Sequence, residues 1–327
     1  MYSLATREIF ELIAEEMTQV ETELERQSNS EIPLIRDIGL YICNGGGKRV
    51  RPAVLLLAAK MCGYNGAIGP RLGAVIEMIH SATLVHDDII DNSNIRRSQA
   101  SINARWGSEI SVLIGDWLYM TSFRIALAER QFRIMDILIG ATRMMVEGEL
   151  MQLELNGSLE ITEEQHLDIS KRKTAFLFSA AAQLGGVLGD VGAECEERLR
   201  LYGMNIGLAF QLVDDVLDIT SNELTLGKPA QSDIGEGKMT LPLIRLMKSG
   251  GAQHMELVRS AIETRGRDAA TREKIARLAE ECGAADYVME KARDYARKAK
   301  DCIECFPAGD ACRALRAISD HIVERDR

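Results

Sequence analysis

The sequence predicts an all-α protein, with residues 1–327 forming one domain. Three observations predict it. Only six prolines occur, and none lies between Pro70 and Pro229, although an interior proline would cost a helix about 3 kcal/mol. Apolar residues recur at spacings of three and four through long segments, the period of a helix. The signature of strands, period-two alternation bounded by turn dipeptides, is nearly absent. Apolar residues make up 46% of the chain and charged residues 27%, with a mean hydropathy of -0.07; this balance fits a folded core and excludes disorder as the main theme.

The elements follow in order. The first 17 residues carry Glu8, Glu11, Glu15 and Glu16, unlike the cationic start and unbroken apolar run of a signal peptide. Loops are expected where glycine and polar residues cluster: Asn44–Gly47, Gly63–Gly69, Ser93–Ala100, Asn222–Gly237 and Lys248–Gly251. Between the second and third loops, Leu72 to Asn92 places Leu72, Ile76, Ile79 and Thr83 on one stripe and Met78, Ala82, Val85 and Ile89 on another. Two stripes predict a helix buried on most sides. A further helix is expected to begin near Gly115. The longest uncharged membrane-like stretch, Thr174–Gly189, has 16 residues, short of the ~20 needed to span a bilayer, so no transmembrane segment and a cytoplasmic protein are expected. A second central helix is predicted by Leu199, Tyr202, Ile206, Ala209, Val213 and Val216, with Leu201, Leu208 and Leu212 on the neighbouring face. Beyond Gly251 the chain becomes amphipathic and charge-rich, as from Arg267 to Leu278, which predicts surface helices.

Charge and cysteine content narrow the functions. Lys plus Arg total 39 against 49 for Asp plus Glu, a net charge of -10, so a nucleic-acid partner is not expected. The seven cysteines are scattered and read as free buried thiols. Cys302 and Cys305 have CxxC spacing, with Cys312 and His321 beyond, but no second CxxC completes a zinc pattern.

The two buried helices end alike, in Asp87-Asp88-x-x-Asp91 and Asp214-Asp215-x-x-Asp218. Acids four residues apart share a helix face and repel each other, and the C-terminal helix dipole adds ~0.3–1 kcal/mol against each. A cation resolves the conflict, and oxygen ligands without His or Cys favour Mg2+, which bridges carboxylates to phosphates. One such triplet reads as a solvated helix end; two at the ends of two buried helices do not. Cations supply the other half: Gly45-Gly46-Gly47-Lys48-Arg49-Val50-Arg51 is a glycine turn followed by three cations within four residues, Arg96-Arg97 follows Asp91, Lys173-Thr174 opens an apolar segment, and Lys228 and Lys238 bracket a loop after the second triplet. Backbone amides of a glycine turn can approach an anion, although this is no Walker A spacing. The pattern points to two phosphate-bearing ligands.

The ordered set GGGKRVRP, DDIIDNSNIRR, Gly115-Asp116, EGELMQL, Lys173-Thr174, AFQLVDDVLD and GKP with EGKMTLP, from Gly45 to Pro242, resembles the trans-isoprenyl diphosphate synthases, most closely the long-chain octaprenyl type. The resemblance implies a single large helical bundle of the isoprenoid-synthase type with a central cavity, and a homodimer supplying a quinone side chain. It implies that Asp87, Asp88, Asp91, Asp214, Asp215 and Asp218 hold three Mg2+ on an allylic diphosphate. It assigns Lys48, Arg51, His80 and Arg97 to isopentenyl diphosphate, and Arg96, Lys173, Thr174, Gln211 and Lys228 to the allylic substrate, with Lys238 as a further binding residue; Asp87, Asp88, Asp91, Asp214, Asp215, Lys173 and Lys228 form the catalytic set. His86 is left structural. Ser98-Gln99-Ala100 departs from the family's usual Gly-x-Pro, which puts the mobility of that loop in question. One turn before Asp87, Ala82 and Thr83 are small, where the resemblance puts an aromatic residue in short-chain members, so a long product is expected. Met120 or Phe123 is the expected tunnel floor. A shorter-chain synthase, a terpene cyclase and a noncatalytic subunit of a two-component synthase are the rival readings; a cyclase has little use for the glycine-basic loop, and a noncatalytic subunit little use for two complete triplets.

Overall fold

The structure, a computed structural model, describes residues 6–220 and 232–324. It is all-α, as expected, apart from one small hairpin. In chain order the elements are α1 (Thr6–Glu11), α2 (Ala14–Ser28), α3 (Pro33–Asn44), α4 (Val50–Met61), α5 (Ile68–Ile90), β1 (Ile95–Arg96), β2 (Gln99–Ala100), α6 (Ile102–Trp106), α7 (Ser108–Ala128), α8 (Phe132–Leu155) and α9 (Glu163–Ser170). A π-helical turn (Lys171–Ala175) leads into α10 (Phe176–Leu188) and α11 (Ala193–Thr220), followed by α12 (Ser232–Gly235), α13 (Leu241–Glu263), α14 (Ala269–Glu281), α15 (Ala284–Cys302) and α16 (Asp310–Glu324).

The chain divides into two compact units, Met1–Thr142 with Leu177–Gly203 and Lys300–Ile318, and Arg143–Phe176 with Met204–Ala299 and Ser319–Arg327. In the first, α5 packs against α2, α4 and α7. Both predicted stripes turn inward: Leu72, Ile76, Ile79 and Ala82 are fully buried, and Met78 and Val85 nearly so, each large side chain contributing about 2 kcal/mol by leaving water. Gly73 allows the approach to α2, since a Cβ there would lie 2.9 Å from Val20. In the second unit, Leu212, Val213 and Val216 of α11 share a core with Leu243, Leu246 and Val258 of α13, Ile275 of α14 and Val288 of α15. A capping box between Thr162 and Gln165 starts α9, and the Asp268 side chain caps α14.

Three expectations are corrected. Helix α7 begins at Ser108, ahead of Gly115, because Gly115 is an interior contact: a Cβ there would lie 2.1 Å from the His86 ring. Leu201 is 37% exposed, on the outer side of α11. Lys248–Gly251 is no loop but part of α13, which kinks at Gly251 (φ 59°), a backbone angle glycine adopts freely. Among the described residues one helix, α7, is long and apolar enough for a membrane span (mean hydropathy 1.3), and 44% of that span is buried inside the fold; unlike Thr174–Gly189 it carries charges, at Glu109, Asp116 and Arg124. The cysteines are free, and Cys312 is the buried one while Cys305 is exposed; burial pushes the half-buried Cys62 thiol up to about 12.

Candidate active site

The first acidic triplet closes α5, with Asp91 as its C-cap. Asp87 and Asp91 are half-buried, whereas Asp88 is 2% exposed. Burial pushes the Asp88 carboxyl up, against the opposing pull of Arg96. Arg96 donates to Asp88 Oδ1 through Nε (2.9 Å) and through Nη2, so the arginine expected on the allylic substrate is joined to an acid expected on metal. The Asp88 carbonyl accepts from Asn103 Nδ2 at 3.1 Å and from the Ser93 amide at 2.9 Å, satisfying the helix end. His86 is structural, its Nε2 lying 3.2 Å from the Val112 carbonyl.

The glycine-basic loop runs from α3 to α4. Arg49, at its end, binds Glu21 of α2 and Glu77 of α5, both at 2.7 Å, fastening the loop to two helices. Burial alone would lower the Arg49 guanidinium's proton affinity, but the two carboxylates outweigh it and raise it. Arg51 stacks over the Phe178 ring at 4.4 Å. His80 is held well below its ordinary value, by burial first and then by Arg51, Arg97, Arg96 and Arg49; it is a neutral imidazole among cations.

Arg96 and Arg97 sit on the hairpin, where Ile95 pairs with Ala100 and Arg96 with Gln99. Its two-residue turn is Arg97 and Ser98, with φ of 52° and 61°. Both central residues are left-handed, the type I′ geometry that asparagine and glycine usually fill, so strain is stored at an arginine expected to bind substrate. The Arg97 guanidinium lies against Gly47, where a Cβ would come within 2.9 Å of Nη1; the missing side chain is what lets the arginine reach the basic loop. Tyr41 of α3 donates to the Ala100 carbonyl at 2.7 Å, meets Trp106 edge-on at 5.1 Å, and carries the Arg105 guanidinium 4.7 Å above its ring. The departure at Ser98-Gln99-Ala100 therefore coincides with a tethered hairpin. Between hairpin, α3 and α5 lies a solvent-open depression of about 490 Å3, lined by Tyr41, Leu84, Asp88, Arg96, Arg97 and Ile102 among others.

The second triplet closes α11. Asp214 is half-buried, while Asp215 and Asp218 are 2% and 4% exposed. Asp215 Oδ2 lies 2.8 Å from His166 Nε2, and its Oδ1 accepts from Gln211 Nε2 at 2.9 Å. Gln211 Oε1 accepts from Thr174 Oγ1 at 2.7 Å. Asp218 accepts from the Ser232 hydroxyl (3.0 Å) and the Asp233 amide (3.2 Å). Thr174 and Lys173 lie in the π-helical turn, and Lys173 pairs with Glu149 at 2.5 Å beside the pair of Arg172 with Glu147 at 2.7 Å. Gly148 separates these acids because a Cβ there would lie 2.6 Å from Arg172 Cβ and 3.0 Å from the Lys173 amide, which explains the Glu-Gly-Glu spelling. Lys238 pairs with Glu236 at 2.6 Å. Lys228 lies outside the described residues. Among the described residues no three His, Cys, Asp or Glu side chains gather in a metal-holding cluster, the Cys302/Cys305/Cys312 set included.

The comparisons with known proteins agree with these motifs. Residues 32–281 match the model of the polyprenyl synthetase family. The chain belongs to that family. It is 39% identical over 320 residues to the octaprenyl diphosphate synthase of Haemophilus influenzae, covering 98% of this chain and 97% of that protein. It is 38% identical over 319 residues to the Escherichia coli octaprenyl diphosphate synthase, covering 98% of each. A crystal structure of the Caulobacter crescentus polyprenyl synthase complexed with calcium and isoprenyl diphosphate superimposes with a TM-score of 0.96 at 35% identity, over 100% of both chains. The resemblance read from the motifs holds over nearly the whole chain, and as a family member the protein is a prenyltransferase.

Sequence reasoning missed His166, Tyr41 and Asn103, and met Glu149 only within EGELMQL, without a role of its own. His166 had a signal, standing seven residues before Lys173 on the face of Ser170; Tyr41 and Asn103 had none. Ala82 is fully buried on α5, and Thr83 turns its hydroxyl to the His80 carbonyl at 2.7 Å. Met120 is 63% exposed and so is no floor. Phe123 is half-buried and stacks on Tyr119 at 6.4 Å, whose hydroxyl is pushed up by burial and then by the charges of Asp87 and Asp116.

Proposed function

We propose that the protein is a long-chain all-trans polyprenyl diphosphate synthase of octaprenyl type, adding isopentenyl diphosphate units head to tail to an allylic diphosphate. The carrying observation is the pair of aspartate triplets, each closing a buried helix, in a chain 38% identical to octaprenyl diphosphate synthases over nearly full length. The Caulobacter relative's calcium and isoprenyl diphosphate support a divalent cation and a prenyl diphosphate here. The donor set fits hard cations: Asp87 and Asp91 are half-buried oxygens four residues apart on one helix, with no sulfur or imidazole among them. Asp87, Asp91 and Asp214 would hold the cations, with substrate oxygens completing each shell. Mg2+, three per site by family resemblance, supplies charge for the departing diphosphate.

The chain's own residues do the rest. Lys173, prealigned by Glu149, and Arg96 meet the allylic diphosphate's charge; for Arg96 this means exchanging Asp88 for substrate. Lys48, Arg51 and Arg97 grip isopentenyl diphosphate, so its double bond attacks the allylic carbon from a fixed direction. His80, neutral beside them, donates a hydrogen bond without adding charge. Apolar walls on α5 keep water from the cationic carbon, and the small Ala82 leaves room for a growing chain. An octaprenyl product suits a quinone side chain, and charged, water-soluble substrates suit a reaction in the cytoplasm. A homodimer is supported by the exposed stripe Leu113, Met120 and Leu127 on α7, at heptad spacing, with Phe132 and Ile139 on α8 at 81% and 51% exposure.

Mass spectrometry of products from farnesyl and isopentenyl diphosphates with Mg2+ tests the proposal. A dominant octaprenyl product that disappears on chelation supports it. Products of geranylgeranyl length or shorter overturn the long-chain assignment, and no product from the purified chain alone overturns the whole reading.

A further inference from the structure

We propose that His166 is a positioning residue for the acidic end of α11, and that Asp215 serves the reaction as its anchor and not as a cation ligand. The inference deepens the reading above and rests on it. Asp215 is 2% exposed and His166 6% exposed, and their contact at 2.8 Å joins α11 to α9. The carboxylate can only accept, so His166 Nε2 carries the proton and donates. The second oxygen of Asp215 takes the Gln211 amide at 2.9 Å. With Gln211's NH2 committed there, its carbonyl faces Thr174 and accepts at 2.7 Å. The order of donors is thereby fixed: Thr174 to Gln211, Gln211 to Asp215, and His166 to Asp215.

The ring closes through the backbone. Ser170, one turn after His166, donates to the His166 carbonyl at 2.9 Å and holds its hydroxyl 3.4 Å from Nε2. The next residues are the π-helical turn Lys171–Ala175, the wide turn that sets the directions of Lys173 and Thr174; such turns recur at functional sites. His166 therefore fixes both sides of one loop of contacts, holding Asp215 directly and the turn that bears Lys173 and Thr174 through Ser170. A cation reaching Asp215 would have to displace a buried hydrogen bond, whereas Asp214 beside it is half-buried. Asp215 holds the register in which Asp214 and Lys173 are presented.

The test compares wild-type enzyme with His166→Leu and His166→Gln. Glutamine carries an N–H donor the same number of bonds from Cα as His Nε2 and can remake the contact; leucine fills the space and donates nothing. Binding of farnesyl S-thiolodiphosphate, which cannot ionise readily, is measured by calorimetry with Mg2+, alongside kcat, the KM for isopentenyl diphosphate and the melting temperature. Expected for His166→Leu is a loss of about tenfold or more in analogue affinity and in kcat, with the isopentenyl KM within about twofold of wild type, since Lys48, Arg51, His80 and Arg97 take no part in the network. His166→Gln should return both to within about threefold. If His166→Leu does not fold, His166→Asn, whose amide falls one bond short, takes its place with the same expectation. A lowered melting temperature with wild-type affinity and kcat overturns the assignment, as does a glutamine variant no better than leucine. Wild-type enzyme that makes no prenyl product sinks the functional reading instead, so the two failures are told apart.

Discussion

Removing the Tyr41 hydroxyl should loosen the arginine hairpin by a calculable amount. The bond from Tyr41 to the Ala100 carbonyl is short, 2.7 Å, but half-exposed, so its net worth is about 1 kcal/mol. If isopentenyl binding requires the tethered hairpin, Tyr41→Phe should raise the KM for isopentenyl diphosphate about fivefold and leave kcat at saturation unchanged. Tyr41→Ala also loses the edge-on contact with Trp106 at 5.1 Å and the Arg105 cation at 4.7 Å, worth roughly 1 and 0.5–1 kcal/mol. The total of about 3 kcal/mol predicts a rise of about a hundredfold. Initial rates at saturating allylic diphosphate give both values, and melting temperatures reveal any general loss of fold. Equal KM values for the two variants, or a phenylalanine variant that fails in kcat and not in KM, would refute the tether.

Four further outcomes are expected. Ala82→Tyr should shorten the main product to a much smaller prenyl chain, read by mass spectrometry; an unchanged chain length shows that α5 does not bound the tunnel. His80 is neutral when folded because its proton affinity is lowered, whereas the unfolded chain protonates it below its ordinary value of about 6.5. Stability is therefore retained above that pH and lost as pH falls below it, and His80→Gln should flatten the drop in melting temperature between about pH 7.5 and 5.5. Gly203→Ala should destabilise by about 3 kcal/mol or more, since its Cβ would lie 2.3 Å from the Phe178 carbonyl and 2.6 Å from Ser179 Cα, both backbone atoms; urea unfolding measures it. Leu113→Glu together with Phe132→Glu should convert a dimer to monomers in light scattering, and an unaltered mass would place the interface elsewhere.

The sequence revealed what depends on local periodicity. The stripes through Leu72 and Ile76, and through Tyr202 and Ile206, are buried as their spacing requires, and the two acidic triplets fall at the ends of those helices. What stayed hidden depends on contacts distant in sequence. His166 meets Asp215 across 49 residues and Tyr41 meets Ala100 across 59, and no period encodes either. The hairpin lacks the Asn-Gly that announces a type I′ turn, because Arg97 and Ser98 occupy it instead. Met120 and Leu201 belong to apolar stripes on helices apolar on more than one face, and periodicity alone does not say which stripe meets the core.

With Arg97 binding isopentenyl diphosphate as proposed, the Arg97–Ser98 turn sets heat resistance against substrate capture. Glycine at either position would relieve the left-handed backbone, so a library screened only for survival at high temperature should collect glycine there. At position 97 it would do so by discarding the guanidinium that reaches across Gly47. Breeding a sturdier catalyst from this chain therefore calls for selection on turnover at that turn.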